Sequence, residues 1–230
     1  MALKVLCLNC SLKKSDQHSN TQVLVEDIVE QMRQHDPDLS FETVRIADHN
    51  VLPGVTIDEG PGDSWPSIAT QVLEADVVIF AVPIWLGHPS SVAQRVLERM
   101  DHWLFHMNER GMKPMYGKVA AVAITGNEDG GHHVYAEMFQ ALSDFGFTLP
   151  PEARSYWTGW SDLAPETSYP KSGRQHPMTT YMTEHCARNL VFFGRAVKEL
   201  EPSIPQLQSD LDAVGRDPAE VAARAAKLHG

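Results

Sequence analysis

Three short runs of nearly unbroken apolar residues constrain this chain more than any other feature: KVLCL at 4–8, DVVIFAV at 76–82 and KVAAVAI at 118–124. A strand with one solvated face alternates apolar and polar residues. A strand covered by helices on both faces does not, and parallel sheets are made of such strands. SFETVRI at 40–46 does alternate and reads as a more exposed strand. A fifth strand is expected around 146–157, weakened by Pro150 and Pro151, which cannot donate to a ladder.

Helical periodicity fills the gaps. One face of 20–34 carries Thr21, Leu24, Val25, Ile28 and Met32; one face of 90–105 carries Val92, Val96, Met100, Trp103 and Leu104. Residues 133–145 and 180–200 repeat the pattern, and 64–74 reads as a shorter helix. Strand–helix alternation requires right-handed crossovers. The expected fold is therefore α/β, a doubly wound parallel sheet of five strands in the order 2-1-3-4-5, sandwiched between helices.

This domain is expected to span 1–201, with a long connection at 157–179, followed by a tail at 202–230. Loops of that length in a compact domain usually serve function or an interface. In the tail, Asp217, Pro218 and Glu220 form a helix start, and Val221, Ala225 and Leu228 a weak apolar stripe. That stripe suits packing on a second subunit or on the chain's own domain.

A formal net charge of −11 argues against a nucleic-acid partner, which needs clustered Lys and Arg. No run approaches the length of a membrane span, and the N-terminal apolar run is too short for a signal-peptide core. Only Cys7, Cys10 and Cys186 are present, consistent with reduced thiols in the cytoplasm.

In this topology a ligand binds at the carboxyl ends of the strands beside the switch point. Three loops lie there. The first begins within CLNCSLKKSDQHSNT at 7–21. A cysteine phosphatase would need an arginine further along the loop; Lys13 and Asp16 stand at the corresponding distances from Cys7 and Cys10. A redox dithiol belongs at a helix N-terminus, whereas Cys7 lies in a strand and points away from Cys10. What remains is a phosphate cradle of Ser11, Lys13, Ser19, Asn20 and Thr21 at a helix start, or simply a capped helix. Neither GxxxxGK[ST] nor GxGxxG is present.

PIWLGHPSS at 83–91 presents Trp85 at the crevice, either stacked on a flat ligand or packed on its own domain. TGNEDGGHH at 125–133 has three glycines, for close ligand approach or for a plain turn. His132 and His133 could read as metal ligands, but no spaced carboxylate or cysteine completes a site, so no metal site is expected.

With these three loops in this order, the chain resembles the flavodoxin-like NADPH-dependent FMN reductases and NAD(P)H:quinone oxidoreductases over residues 3 to about 155. The resemblance implies FMN as cofactor, its phosphate on Ser11, Ser19, Asn20 and Thr21 with Lys13 in reach. It implies that Pro83, Ile84, Trp85, Leu86 and Gly87 cup the ring, and that Thr125, Gly126, Asn127 and Glu128 close its other side. A nicotinamide donor, a small quinone or flavin acceptor, ping-pong hydride transfer and a homodimer follow as expectations. His132 and His133, with Tyr156 and Trp157, are candidates for the open face of the ring. The first loop departs from the family's usual Gly-Ser and short loop, having Asn9-Cys10-Ser11 and a longer stretch. Two other readings are an FMN electron carrier without nicotinamide turnover, and a regulatory module without cofactor.

Overall fold

The structure is a computed structural model of the 230-residue chain, and it describes residues 2–106, 112–159 and 168–200. The strands are β1 (Lys4–Asn9), β2 (Ser40–Arg45), β3 (Val77–Trp85), β4 (His88–Pro89), β5 (Val119–Gly126) and β6 (Arg154–Thr158). The helices are α1 (Asn20–Arg33), α2 (Trp65–Glu74), α3 (Ser91–Met100), α4 (Gly131–Phe145) and α5 (Pro177–Leu200). The parallel strands run β2-β1-β3-β5-β6. With β4 set aside, this is the expected 2-1-3-4-5 order.

The three apolar runs are the three central strands. Alternate residues go to opposite faces. Leu6, Leu8, Val78, Phe80 and Val122 pack under α2, α3 and α4; Val5, Cys7, Ile79 and Ala121 pack under α1 and α5. Each large aliphatic residue so buried contributes about 1.5–3 kcal/mol against chain entropy. Cys7 and Cys10 fall in opposite clusters, as strand geometry requires.

Several boundaries differ from expectation. The last strand starts only at Arg154; ahead of the two prolines, Thr148 makes one isolated bridge to Val119. Helix α3 ends at Met100 and continues as a 3-10 turn, Asp101–Leu104. The connection after the last strand is shorter than read, because Trp157 and Thr158 belong to β6 and α5 begins at Pro177. Within it, a π-type turn at Tyr169–Gly173 docks on α1. There the Tyr169 hydroxyl donates to Asp27 Oδ2 at 2.7 Å and the Arg174 guanidinium grips the same carboxylate. The expected tail helix at 217 lies outside the described residues. No helix among the described residues is long and apolar enough to cross a membrane.

The excursion before α2 is held by a buried ion pair. The fully buried guanidinium of Arg99 donates to Asp63 Oδ2 at 2.6 Å and to the carbonyls of Leu52 and Ile57. Burial alone would raise the Asp63 pKa. Backbone N–H donations from Glu59, Trp65 and Leu52, with the Arg99 guanidinium, outweigh it and hold the carboxyl below its usual range.

Candidate active-site cleft

A cleft of about 350 Å³ opens at the carboxyl ends of β1, β3 and β5, within the usual range for ligand sites. One side is the loop between β1 and α1, where Ser11, Leu12, Lys13, Ser19, Asn20 and Thr21 line it. Pro83 and Trp85 form the wall from β3; Thr125, Gly126, Asn127 and Glu128 form the wall from β5.

The first loop contains no glycine, so side-chain ties shape it. Ser19 caps α1, its hydroxyl accepting from the Gln22 N–H at 3.3 Å. The next two backbone N–H groups, of Asn20 and Thr21, have no acceptor among the described residues, and they sit at the positive end of a 14-residue helix. Ser11 Oγ accepts from the Lys13 N–H at 3.2 Å, and Lys13 Nζ donates to the His18 carbonyl at 3.2 Å. From the end of β2, Arg45 Nη1 reaches the carbonyls of Lys13, Lys14 and Gln17 at 3.3–3.5 Å. Asp48 accepts from the Ser15 N–H at 3.0 Å. Sequence reading missed Arg45 and Asp48; the available signal was their position at the end of the strand beside β1 and in the 3-10 turn, Ile46–Asp48, that follows it.

The loops are also tied to one another. Thr21 Oγ1 and Thr125 Oγ1 lie 2.6 Å apart, both buried. Ser90 Oγ donates to the Cys10 carbonyl at 2.7 Å while capping α3. Glu128 Oε1 accepts from the Leu86 N–H at 2.7 Å. Gly126 is packed tightly enough that a Cβ there would come 2.8 Å from Ile84 Cβ.

The second loop proves to be a hairpin. Trp85 pairs with His88 across a two-residue turn, with Leu86 at φ 53 and Gly87 at φ 78. Positive φ at both central residues suits the right-handed twist of a hairpin. The sequence hid it because leucine is a poor residue for that position. Pro83, Ile84 and Trp85 are therefore strand, not loop. Trp85 is 53% exposed at the cleft, so it does not pack away into the domain. Ile84 is buried, and Leu86 and Gly87 lie on the hairpin tip beyond the cleft wall.

The expected open-face residues lie elsewhere. Trp157 is buried in the α1/α5 cluster against Tyr169. His132 Nε2 is 3.1 Å from the Tyr156 hydroxyl, and His133 faces His88 and Glu137; none of these lines the cleft. Burial pushes the Cys7 thiol up to about 12 and raises that of Cys10 as well, so neither is a thiolate at neutral pH.

Fold and cleft together define a flavodoxin-like α/β protein with its site at the switch point. The sequence model of the NADPH-dependent FMN reductases matches residues 3–160, and the chain belongs to that family. It is 30% identical over 208 residues to the 8-demethyl-8-aminoriboflavin-5'-phosphate synthase of Streptomyces davaonensis, covering 86% of this chain and 80% of that protein. A crystal structure of RosB with bound 8-demethyl-8-formylriboflavin-5'-phosphate superposes with a TM-score of 0.79 at 29% identity, covering 100% of this chain and 88% of the other. The chain is also 34% identical over 226 residues to the divalent metal cation transporter MntH of Mycobacterium bovis. That match takes in 93% of this chain but only 32% of the transporter's length.

Proposed function

We propose that the chain is an FMN-dependent NAD(P)H oxidoreductase that passes electrons to a small acceptor such as a quinone or a flavin. The observation that carries this reading is the cleft itself: anion donors at one end and an aromatic wall at the other, in a chain of this family. The N–H groups of Asn20 and Thr21 at the start of α1, without an acceptor among the described residues, suit a phosphate monoester together with Ser11, Ser19 and Lys13. Trp85 and Pro83 on one side and Thr125, Gly126, Asn127 and Glu128 on the other suit a flat heteroaromatic ring. Ile84, Leu86 and Gly87 act by shaping the hairpin that carries Trp85. When bound, FMN supplies the hydride chemistry. The protein's part is to fix the ring and leave one face open, which makes donor and acceptor alternate at one place. Initial-rate plots should accordingly be parallel, and an intersecting pattern would overturn the shared face.

A second reading is favoured by one observation. Likeness to RosB extends over the whole chain, beyond the 3–160 of the family model. On that reading a riboflavin phosphate is transformed in the cleft as a substrate. Met178, Tyr181 and Phe192, exposed along one face of α5, support a homodimer, and the three buried free thiols a cytoplasmic setting.

The test is to purify the chain, look for flavin absorbance near about 450 nm, and add NADPH or NADH without oxygen. Bleaching by either supports the oxidoreductase. Bound flavin that neither donor reduces sinks it, and recovery of a chemically altered flavin selects the second reading.

A further inference from the structure

Beside the cleft, three potential ligand atoms converge from two elements. His133 Nε2 on the first turns of α4 lies 2.9 Å from Glu137 Oε1, one turn further along. His88 Nδ1, from β4 of the hairpin, lies 3.1 Å from His133 Nε2 and 3.4 Å from Glu137 Oε1. We propose that His88, His133 and Glu137 form a site for a divalent transition-metal ion of the zinc class, which fastens the β3–β4 hairpin to α4.

The geometry separates this from an ordinary surface cluster. Donor atoms about 2.0–2.2 Å from a tetrahedral zinc ion lie roughly 3.3–3.6 Å from one another. The three observed edges are 2.9, 3.1 and 3.4 Å, so rotations opening the triangle by a few tenths of an ångström complete the face of a tetrahedron. Hydrogen bonding uses the same arrangement poorly: a neutral His133 has one Nε2 proton for two neighbours. An ion engages all three atoms together. Two imidazoles and one carboxylate are a zinc donor set, and three protein ligands leave a fourth position for water. The side chains are 39–62% exposed, which gives an ion entry from solution. The chain's net charge of −11 favours a cation in that field.

Sequence reading found no spaced carboxylate to complete this site, and the expectation of no metal site followed from that. Glu137 is a helical turn away, and His88 is brought in by a hairpin the sequence did not reveal. Since His88 pairs with Trp85 across that hairpin, the ion holds in place the strand end that forms one cleft wall.

The test uses the full chain, stripped with a chelator and titrated with zinc chloride against a chromophoric competitor. One equivalent should bind and raise the melting temperature. His88→Ala, His133→Ala and Glu137→Gln should each weaken binding by more than about 100-fold, beyond the loss seen for a merely supporting partner. His102→Ala and His106→Ala, changing a histidine pair outside the site, should leave it intact. His88 and His133 are exposed and Glu137 half-buried, and circular dichroism checks that each variant folds. Binding that survives all three substitutions, or no binding to the wild-type chain, overturns the proposal. Because the readout is metal and melting temperature, it stands or falls separately from the flavin.

Discussion

Thr21 and Thr125, 104 residues apart, share a buried hydroxyl–hydroxyl hydrogen bond of 2.6 Å that joins the start of α1 to the end of β5 across the floor of the cleft. Replacing one threonine strands the other's hydroxyl. Thr125→Val should destabilise the protein by about 1–3 kcal/mol, whereas Thr21→Val with Thr125→Val should be much closer to neutral. Denaturant melts of the two single variants and the double variant measure this. An additive double variant would show that the bond does not couple the two loops.

Gly130 has φ 127, and a Cβ there would come 2.7 Å from the Gly87 carbonyl oxygen. Gly130→Ala should cost roughly 1–3 kcal/mol in backbone strain and push the hairpin from α4. Flavin titration should show weaker binding than in the wild type. Unchanged affinity would mean that the position of the hairpin does not matter to the ligand.

The hairpin tip offers the opposite experiment. Leu86 takes a left-handed conformation at φ 53 while 87% exposed. Leu86→Asn should stabilise the fold by up to about 1 kcal/mol, since asparagine tolerates that region. If catalysis falls while the melting temperature rises, the leucine is kept for contact with a substrate or a second subunit.

Asp63 and Arg99 set an acid limit. The Asp63 pKa is held below the unfolded value, so its stabilisation is full above that value, near pH 3.9, and is lost as pH falls through the folded one. The stability gap between the wild type and Asp63→Asn should therefore be flat from pH 7 to about 5 and shrink below 4. Arg99→Met, which leaves a buried carboxylate uncompensated, should cost about 3–5 kcal/mol at neutral pH. Urea melts across this range decide both.

The cysteines should be silent. Cys7 and Cys186 are both buried and their thiols pushed up to about 12, with Cys10 also raised. Iodoacetamide at pH 8 should label none of the three until denaturant is added, as read by mass spectrometry. Cys7→Ala should retain flavin, and Ser11→Asp should expel it by repelling the phosphate.

The sheet order was legible because three doubly covered strands leave an unmistakable apolar trace, and β2 and the helices keep clean periods. The positions of Ser11, Asn20, Trp85 and Thr125 at the crevice followed from topology alone. Details that depend on tertiary ties were hidden. Nothing in the local pattern signals that Leu86 enters a left-handed turn, that Trp157 turns into the α1/α5 core while Tyr156 faces His132, or that Glu137 meets His88.

Arg45 carries a consequence for anyone who would move this site. A glycine-rich phosphate loop takes its shape with it, because the bends are in its own backbone. Here the shape is lent by a neighbouring strand and the turn that follows it, through one guanidinium spanning the carbonyls of Lys13, Lys14 and Gln17 and through Asp48 on the Ser15 N–H. The unit that can be transplanted into another sheet of this topology is thus two strands wide, and residues 10–19 grafted without positions 45 and 48 would arrive as sequence without form.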